Sequence, residues 1–376
     1  MSKDKQSLAT VKRHIVPLPQ RSFVEPCYTT ATIRDTTEVR ALTTYAQAGV
    51  DITAGTRATQ LMAEAVRSTH SAAVIAGMGA FGGCFDLGAA NVPHGGVLVA
   101  STDGVGTKTL VAGVVGRYDT VGQDLVNHCV NDILVQGARP LFFMDYIAVA
   151  KLDPQQVSAL VGGVAAACRA VGCALLGGET AEMPDVYHAG AFDLAGTIVG
   201  VVGREQMLPR DVTAGDAIIA LPSSGLHTNG YSLARRVLGP LGYETRIEAL
   251  GGQTIGEALL AVHRPYLHEI SALWEANVPI HALAHITGGG IFDNVPRVLP
   301  KGLGAQIRRG SWDIPLIFEL LVREGRLAEQ EAFHALNMGL GMLVIVPPEA
   351  VSNALSLIPE ARLVGEVVHG GEVQLI

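Results

Sequence analysis

Charge is scarce in this chain. Of its 376 residues only 16% are Asp, Glu, Lys or Arg, against roughly 25% in an average soluble domain. The net charge is -8, which argues against a general nucleic-acid binder, because such proteins carry a basic patch. It does not exclude phosphate ligands, since backbone amides and metal ions hold phosphate without net positive charge. Cysteine is sparse as well. The five, Cys27, Cys84, Cys129, Cys168 and Cys173, are odd in number and no two form C-x-x-C. That excludes a disulfide framework and a zinc-finger pattern, and points to reduced, mostly buried thiols in a cytoplasmic protein. Long apolar runs are missing: none approaches the ~20 residues of a membrane span. The N-terminus has two early lysines but no apolar segment after them, so neither a signal peptide nor a membrane partner is expected.

Glycine, by contrast, is plentiful. The 44 glycines exceed the usual ~7% and cluster at a few places, which suggests tight turns and close backbone approach to ligands. The length implies two domains, possibly three, and a substantial core. Residues 1–44 are polar and weakly periodic and read as a partly disordered extension. Residues 45–210 and 211–376 read as an N-terminal and a C-terminal domain. Strands and helices alternate in both, but several neighbours are hairpin-like, so the pattern favours mixed α+β over a purely parallel sheet. Helices are expected over 58–68, 119–136 and from Asp153 to about 171. Strands are expected at 97–100, 140–149, 173–176, 198–202, 217–221 and 342–346.

Four constellations carry residues suited to chemistry. Ser101-Thr102-Asp103-Gly104-Val105-Gly106-Thr107-Lys108 follows a strand with a carboxylate, two glycines, a hydroxyl and a lysine, although it lacks Walker A spacing. The bland reading is a turn with a surface lysine; the functional one is a phosphate and Mg²⁺ loop. In the helix 119–136, Asp124, His128 and Asp132 fall on one stripe, with Asn131 beside Asp132. An acid at Asp124 suits the helix dipole, whereas a mid-helix carboxylate at Asp132 is costly unless paired or metal-bound. Residues 176–184 (LGGETAEMP) place Glu179 and Glu182 after a glycine pair, in what reads as a loop at a strand end. Residues 221–232 form a strand, a polar loop with His227 and Asn229, and a helix start, which suits phosphate binding at a helix N-terminus. Thr287 and the glycines Gly288, Gly289 and Gly290 precede a second helix, expected over 291–299.

Each motif alone is weak. Together, YAQAGVDITAG (45–55), STDGVGTK (101–108), VNDILVQGARP (130–140), GGETAEMP (177–184), SSGLHTNGYSL (223–233) and HITGGGIFDNVPRVLP (285–300) resemble the phosphoribosylformylglycinamidine cyclo-ligase family in order and spacing. The resemblance implies two α+β domains and a homodimer, with the N-terminal sheets pairing into a barrel. It implies ATP and Mg²⁺ as cofactors and formylglycinamidine ribonucleotide as substrate. Asp103 and Asp132 would hold Mg²⁺, and Gly106, Thr107 and Lys108 the nucleotide phosphates. Gly77, Gly79, Gly82 and Gly83 would form a flexible loop near the nucleotide, with Asp124, Asn131 and Glu179 also on its site. His227 and Asn229 would face the substrate, His227 handling a proton, and Gly288, Gly289 and Gly290 would take its ribose phosphate. The chain departs from the pattern at Ala46, where the family carries lysine, and at Gln123, Asn127 and His128, where hydrophobic or small residues are expected. Another ATP-dependent phosphotransferase of the wider superfamily and a non-catalytic nucleotide-binding paralogue remain as alternatives.

Overall fold

The computed structural model describes residues 51–80 and 82–376; Tyr45, Ala46, Cys27 and the extension over 1–44 lie outside the described residues. The first helix, α1 (Ile52–Arg67), begins earlier than its apolar spacing suggests because Asp51 caps it. The Asp51 carboxylate accepts from the Thr53 and Ala54 amides at 2.9 and 3.1 Å, satisfying donors the first turn leaves free. A short hairpin follows, β1 (Val74–Ala76) and β2 (Cys84–Phe85), with the glycine loop between its strands.

Next come β3 (Val97–Gly104), α2 (Lys108–Val115), α3 (Asp119–Leu134), β4 (Arg139–Val149), α4 (Pro154–Ala170), β5 (Ala174–Glu182) and β6 (Phe192–Val202). The four long strands form one sheet in the order β3-β6-β4-β5, antiparallel except for β4 beside β5, which α4 joins by a crossover. Two expected loops are strand instead. Ser101 to Gly104 stays paired with 195–198 of β6, and the GGETAE segment pairs in parallel with 144–149 of β4. Paired neighbours satisfy those backbone groups, which overrides the low strand propensity of glycine.

The rest of the chain holds β7 (Ala217–Pro222), α5 (Tyr231–Leu238), α6 (Ile255–Leu259), α7 (Leu267–Glu275), β8 (Ala282–His285) and α8 (Gly290–Asn294). It continues through β9 (Leu303–Ile307), α9 (Leu316–Gly325), α10 (Glu329–Ala335), β10 (Leu340–Val346), α11 (Val351–Leu357), β11 (Arg362–His369) and β12 (Val373–Leu375). The second sheet runs β12-β9-β11-β7-β10-β8, with only β12 and β9 parallel. Both sheets are therefore mixed, as the hairpin-like spacing implies. The helix expected over 291–299 stops at Asn294 and tightens to a 3₁₀ turn at Val295–Val298, where Pro296 cannot donate to the helical ladder.

Helix α3 decides how the site is built. Its Leu125, Val126, Cys129, Val130 and Ile133 are fully buried. It crosses α4 so closely that a Cβ on Gly122 would lie 2.2 Å from the Leu160 carbonyl, and one on Gly163 2.0 Å from that of Asp119. Its polar residues Asp124, Asn127 and Asn131 are buried too, because they meet the segment 261–266 that leads into α7. That contact explains the polar residue at 127, while the buried His128 pairs with Thr228 and Asp103. The other face of the four-stranded sheet leaves apolar side chains open, with Leu98 57% exposed and Met144 and Tyr146 near 40%.

Candidate active site

Asp103 sits at the end of β3, where its Oδ1 accepts from the Gly104 amide at 2.7 Å and its side chain stays 44% exposed. Its Oδ2 lies 2.8 Å from His128 Nε2 on α3. One helical turn on, Asp132 meets His128 Nε2 at 3.7 Å, accepts from Ser101 Oγ at 3.1 Å and lies 2.9 Å from His285 Nδ1 at the end of β8. Asp132 is thus paired, as its mid-helix position requires. Burial alone would raise the pKa of both acids; hydrogen bonds and charge from His128 at Asp103, and from His285 at Asp132, outweigh it and hold both carboxyls below the usual range. Burial opposes a proton on His128, but Asp103 and Asp132 overcome it and raise its pKa. His285 goes the other way: burial lowers it more than Asp132 restores it.

Beneath this rim the structure corrects the expectation for Lys108. The side chain is fully buried, and its Nζ pairs with Asp124 at 2.7 Å. The same Nζ donates to the carbonyls of His227 and Ala261 at 3.0 and 2.7 Å, so the ammonium ties α2 and α3 to the second half of the chain. Burial pushes Lys108 down and Asp124 up, and each restrains the other. Asp124 also accepts from the His263 amide at 2.6 Å. Asn131 spends its amide on the Arg264 carbonyl, the Tyr266 N–H and His263 Nε2. Asp124 and Asn131 therefore clamp the segment 261–266 rather than face a nucleotide.

The clamp fixes His227. Its backbone is left-handed (φ 61°), its ring stacks on His263 at 3.9 Å, and its Nε2 accepts from the Ser224 amide at 3.2 Å. With Nε2 accepting, the neutral ring carries its proton on Nδ1, and that atom is buried without a hydrogen-bond partner among the described residues. Burial first, then neighbouring cationic and imidazole groups, holds His227 well below the ordinary histidine range, and His263 likewise. Gly341 makes room: a Cβ there would lie 1.6 Å from the Tyr266 hydroxyl and 3.1 Å from the His227 ring. Thr228 reaches His128 Nδ1 at 2.6 Å, joining this loop to the rim.

The remaining expected residues divide. Gly106 and Thr107 stay accessible, and Thr107 Oγ1 lies 3.2 Å from Ser232 Oγ on α5. Asn229 sits beside Gly288, whose Cβ would approach its Oδ1 to 3.2 Å. Gly289 and Gly290 serve packing instead: Cβ atoms there would strike Asp293 and the Phe333 carbonyl, and both have positive φ. Gly79 (φ 98°) and Glu179 line a cavity of about 340 Å³ between α1 and β5, within the range of small-molecule sites. Gly77 and Gly83 pack against His70 and Leu176, and a Cβ at Gly82 would meet nothing. Asp145 lines the same cavity and had no signal in the sequence, being one acid inside an apolar strand. Burial lifts its pKa from 3.8 to about 7. Gly178 has to be bare, since its Cβ would fall 1.8 Å from Asp145 Oδ1. His263 also carried no sequence signal, and Thr228, though inside the 223–233 motif, had no assigned role, because only the fold brings them to α3.

Two family profiles match the chain: AIR synthase related protein, N-terminal domain, over residues 72–202, and AIR synthase related protein, C-terminal domain, over residues 213–376. A phosphoribosylformylglycinamidine cyclo-ligase of Desulfitobacterium hafniense is 50% identical over 308 residues, covering 82% of this chain and 90% of that protein. One of Alkaliphilus oremlandii is 45% identical over 337 residues, covering 88% and 98%. Among solved structures, a thiamine-monophosphate kinase from Stenotrophomonas maltophilia superposes with a TM-score of 0.61 at 18% identity, covering 84% of this chain and 95% of that one. The hydrogenase maturation protein HypE in complex with ATP superposes at 0.60 and 17% identity, covering 84% and 90%. These two establish a shared fold and no more.

Proposed function

The chain belongs to the phosphoribosylformylglycinamidine cyclo-ligase family of purine biosynthesis, and on that premise we propose that it uses ATP to close the imidazole ring of aminoimidazole ribonucleotide. The observation that carries the reading is convergence. STDGVGTK, VNDILVQGARP, SSGLHTNGYSL and HITGGG meet at one rim, through Ser101 and Asp132, Asp132 and His285, Thr107 and Ser232, and Asn229 and Gly288.

In this reading the formyl amide oxygen of formylglycinamidine ribonucleotide attacks the γ-phosphorus of ATP, and ADP leaves. The amidine nitrogen then attacks the formyl carbon and loses its proton. The carbon–oxygen bond breaks, phosphate departs and the ring closes. An amide oxygen is a poor leaving group and its phosphate ester a good one, so the protein's task is positioning and charge stabilisation. Thr107 and the Gly106 backbone are the proposed phosphate contacts, with Lys108 acting from beneath by fixing the His227 loop. His227, in the loop that Lys108 fixes, is the proposed proton-handling group on the substrate side. Asn229 and Gly288 are proposed to bind the substrate. The cavity beside Gly79, Asp145 and Glu179 is proposed for the nucleoside end of ATP.

The rim fits Mg²⁺, because the carboxylates of Asp103 and Asp132 converge beside Ser101 and Asp103 is open enough for water ligands to join. When bound, the ion neutralises charge on the transferring phosphoryl group. The open sheet face with Leu98, Met144 and Tyr146 supports a homodimer through the N-terminal sheets; sedimentation of wild type against Leu98→Asp tests it. Residues 45–210 and 211–376 are proposed as the ATP-binding and second domains, and the cytoplasm as the location. The described residues include no helix long and apolar enough to cross a membrane. Incubation with formylglycinamidine ribonucleotide and Mg–ATP tests the function. Aminoimidazole ribonucleotide and ADP in equal amounts are expected, and ATP consumption without ring closure would overturn it.

A further inference from the structure

Two imidazoles stand where an oxygen-only magnesium site needs none. His128 Nε2, an Asp132 carboxylate oxygen and His285 Nδ1 all lie within 4.8 Å of one another, with the histidines buried and Asp132 partly so. His128 Nε2 lies 3.7 Å from Asp132 Oδ2, and His285 Nδ1 lies 2.9 Å from the other oxygen, Oδ1. Neighbouring ligands about 2.1 Å from one ion stand about 3 to 3.5 Å apart, so small shifts suffice. The other ring nitrogens are already placed. His128 Nδ1 reaches Thr228 Oγ1 at 2.6 Å, and His285 Nε2 reaches His263 Nε2 at 3.1 Å. Such outer bonds hold each ring so that its first nitrogen faces the place an ion would take. Ser101 Oγ orients Asp132, and the exposed Asp103 carboxylate closes the open side beside His128.

We propose that His128, Asp132 and His285, with Asp103 at the open side, form a mixed imidazole–carboxylate site that binds a divalent first-row transition ion such as Mn²⁺ in preference to Mg²⁺. The proposal deepens the reading of Asp103 and Asp132 as metal ligands and rests on it. Mg²⁺ favours oxygen ligands and keeps its waters, whereas imidazole suits the later first-row ions. His128 is thus more than a partner for its acids: its Nε2 lies 2.8 Å from Asp103 and 3.7 Å from Asp132, within reach of an ion held by both.

The test uses the full-length protein freed of metal and then loaded with Mn²⁺. Electron spin-echo modulation of the bound ion is expected to show coupling to imidazole nitrogen, diminished in His128→Ala and again in His285→Ala. Mn²⁺ affinity is expected to fall roughly tenfold or more in either variant. A hundredfold excess of Mg²⁺ is expected to leave most Mn²⁺ in place. Wild-type Mn²⁺ without nitrogen coupling, or displaced by equimolar Mg²⁺, overturns the proposal even if neither variant folds. Turnover separates the two layers. Ring closure without nitrogen coupling sinks this inference alone, whereas nitrogen coupling without ATP-dependent turnover leaves the metal site standing and sinks the functional reading.

Discussion

Replacing Lys108 by methionine discriminates between a lysine that touches phosphate and one that holds the molecule together. Both Lys108 and Asp124 are 0% exposed, and their charges lie 2.7 Å apart. Removing one partner strands a buried carboxylate, which costs about 3–5 kcal/mol. The His227 and Ala261 carbonyls each lose a donor as well. Replacing Asp124 by asparagine in the same chain removes the stranded charge while keeping an acceptor for the His263 amide. The double variant then carries only the unmade hydrogen bonds, about 1–3 kcal/mol for each carbonyl left without its donor. Urea unfolding followed by tryptophan fluorescence reads these differences, and ATP titration of the folded double variant completes the cycle. The expected pattern is a large loss in Lys108→Met, partial recovery in the double variant and an ATP KM close to wild type, with a lower kcat because the His227 loop has lost its tether. If Asp124→Asn restores nothing and ATP affinity collapses in both, Lys108 works on phosphate and the clamp is refuted.

Asp132→Asn should fold and lose at least about tenfold in turnover, most severely at limiting Mg²⁺, because it removes the charge held between His128 and His285; normal activity at limiting metal would strike Asp132 from the ligands. His227→Ala should lower ring closure roughly hundredfold while sparing ATP binding, and an equal loss of nucleotide affinity would show that the ring serves ATP instead. Asp145 gives a pH signature. Its carboxyl is raised from 3.8 to about 7 in the fold, so the unfolded chain loses its proton first and wild-type stability falls as pH climbs from about 4 to about 7. The limit is about 4 kcal/mol, reduced by water in the cavity, and Asp145→Asn should flatten that fall. Parallel unfolding curves for both proteins at pH 5 and pH 8 would contradict this.

Much of the architecture was legible because it rests on local signals. Asp153 and Pro154 announced α4, and Gly172, with φ 66°, ended it. Apolar runs announced β7 and β10 as strands, and the fold sets them side by side. Illegible were features settled by distant partners. Ser101 to Gly104 and the GGETAE segment read as loops because glycine and short polar residues favour turns, yet each lies against a strand that takes up its backbone groups. Asp132 drew notice as a mid-helix acid and Asp103 through the family resemblance, and the fold sets both beside His128. Lys108 and Asp124 were also found, but with the wrong neighbours. A lysine beside a glycine loop looks like a phosphate ligand, and nothing in the order of residues says that α3 passes within reach of it. His263 and Asp145 stood in no motif, and became visible only as the stack under His227 and the acid facing Gly178.

The central claim is that phosphate leaves carrying the formyl oxygen of the substrate. Formylglycinamidine ribonucleotide labelled with ¹⁸O at that position, turned over with Mg–ATP in unlabelled water, tests it by mass spectrometry of the released phosphate. The account predicts one ¹⁸O in each phosphate for every aminoimidazole ribonucleotide formed. Unlabelled phosphate, with the ¹⁸O recovered in water, would contradict it.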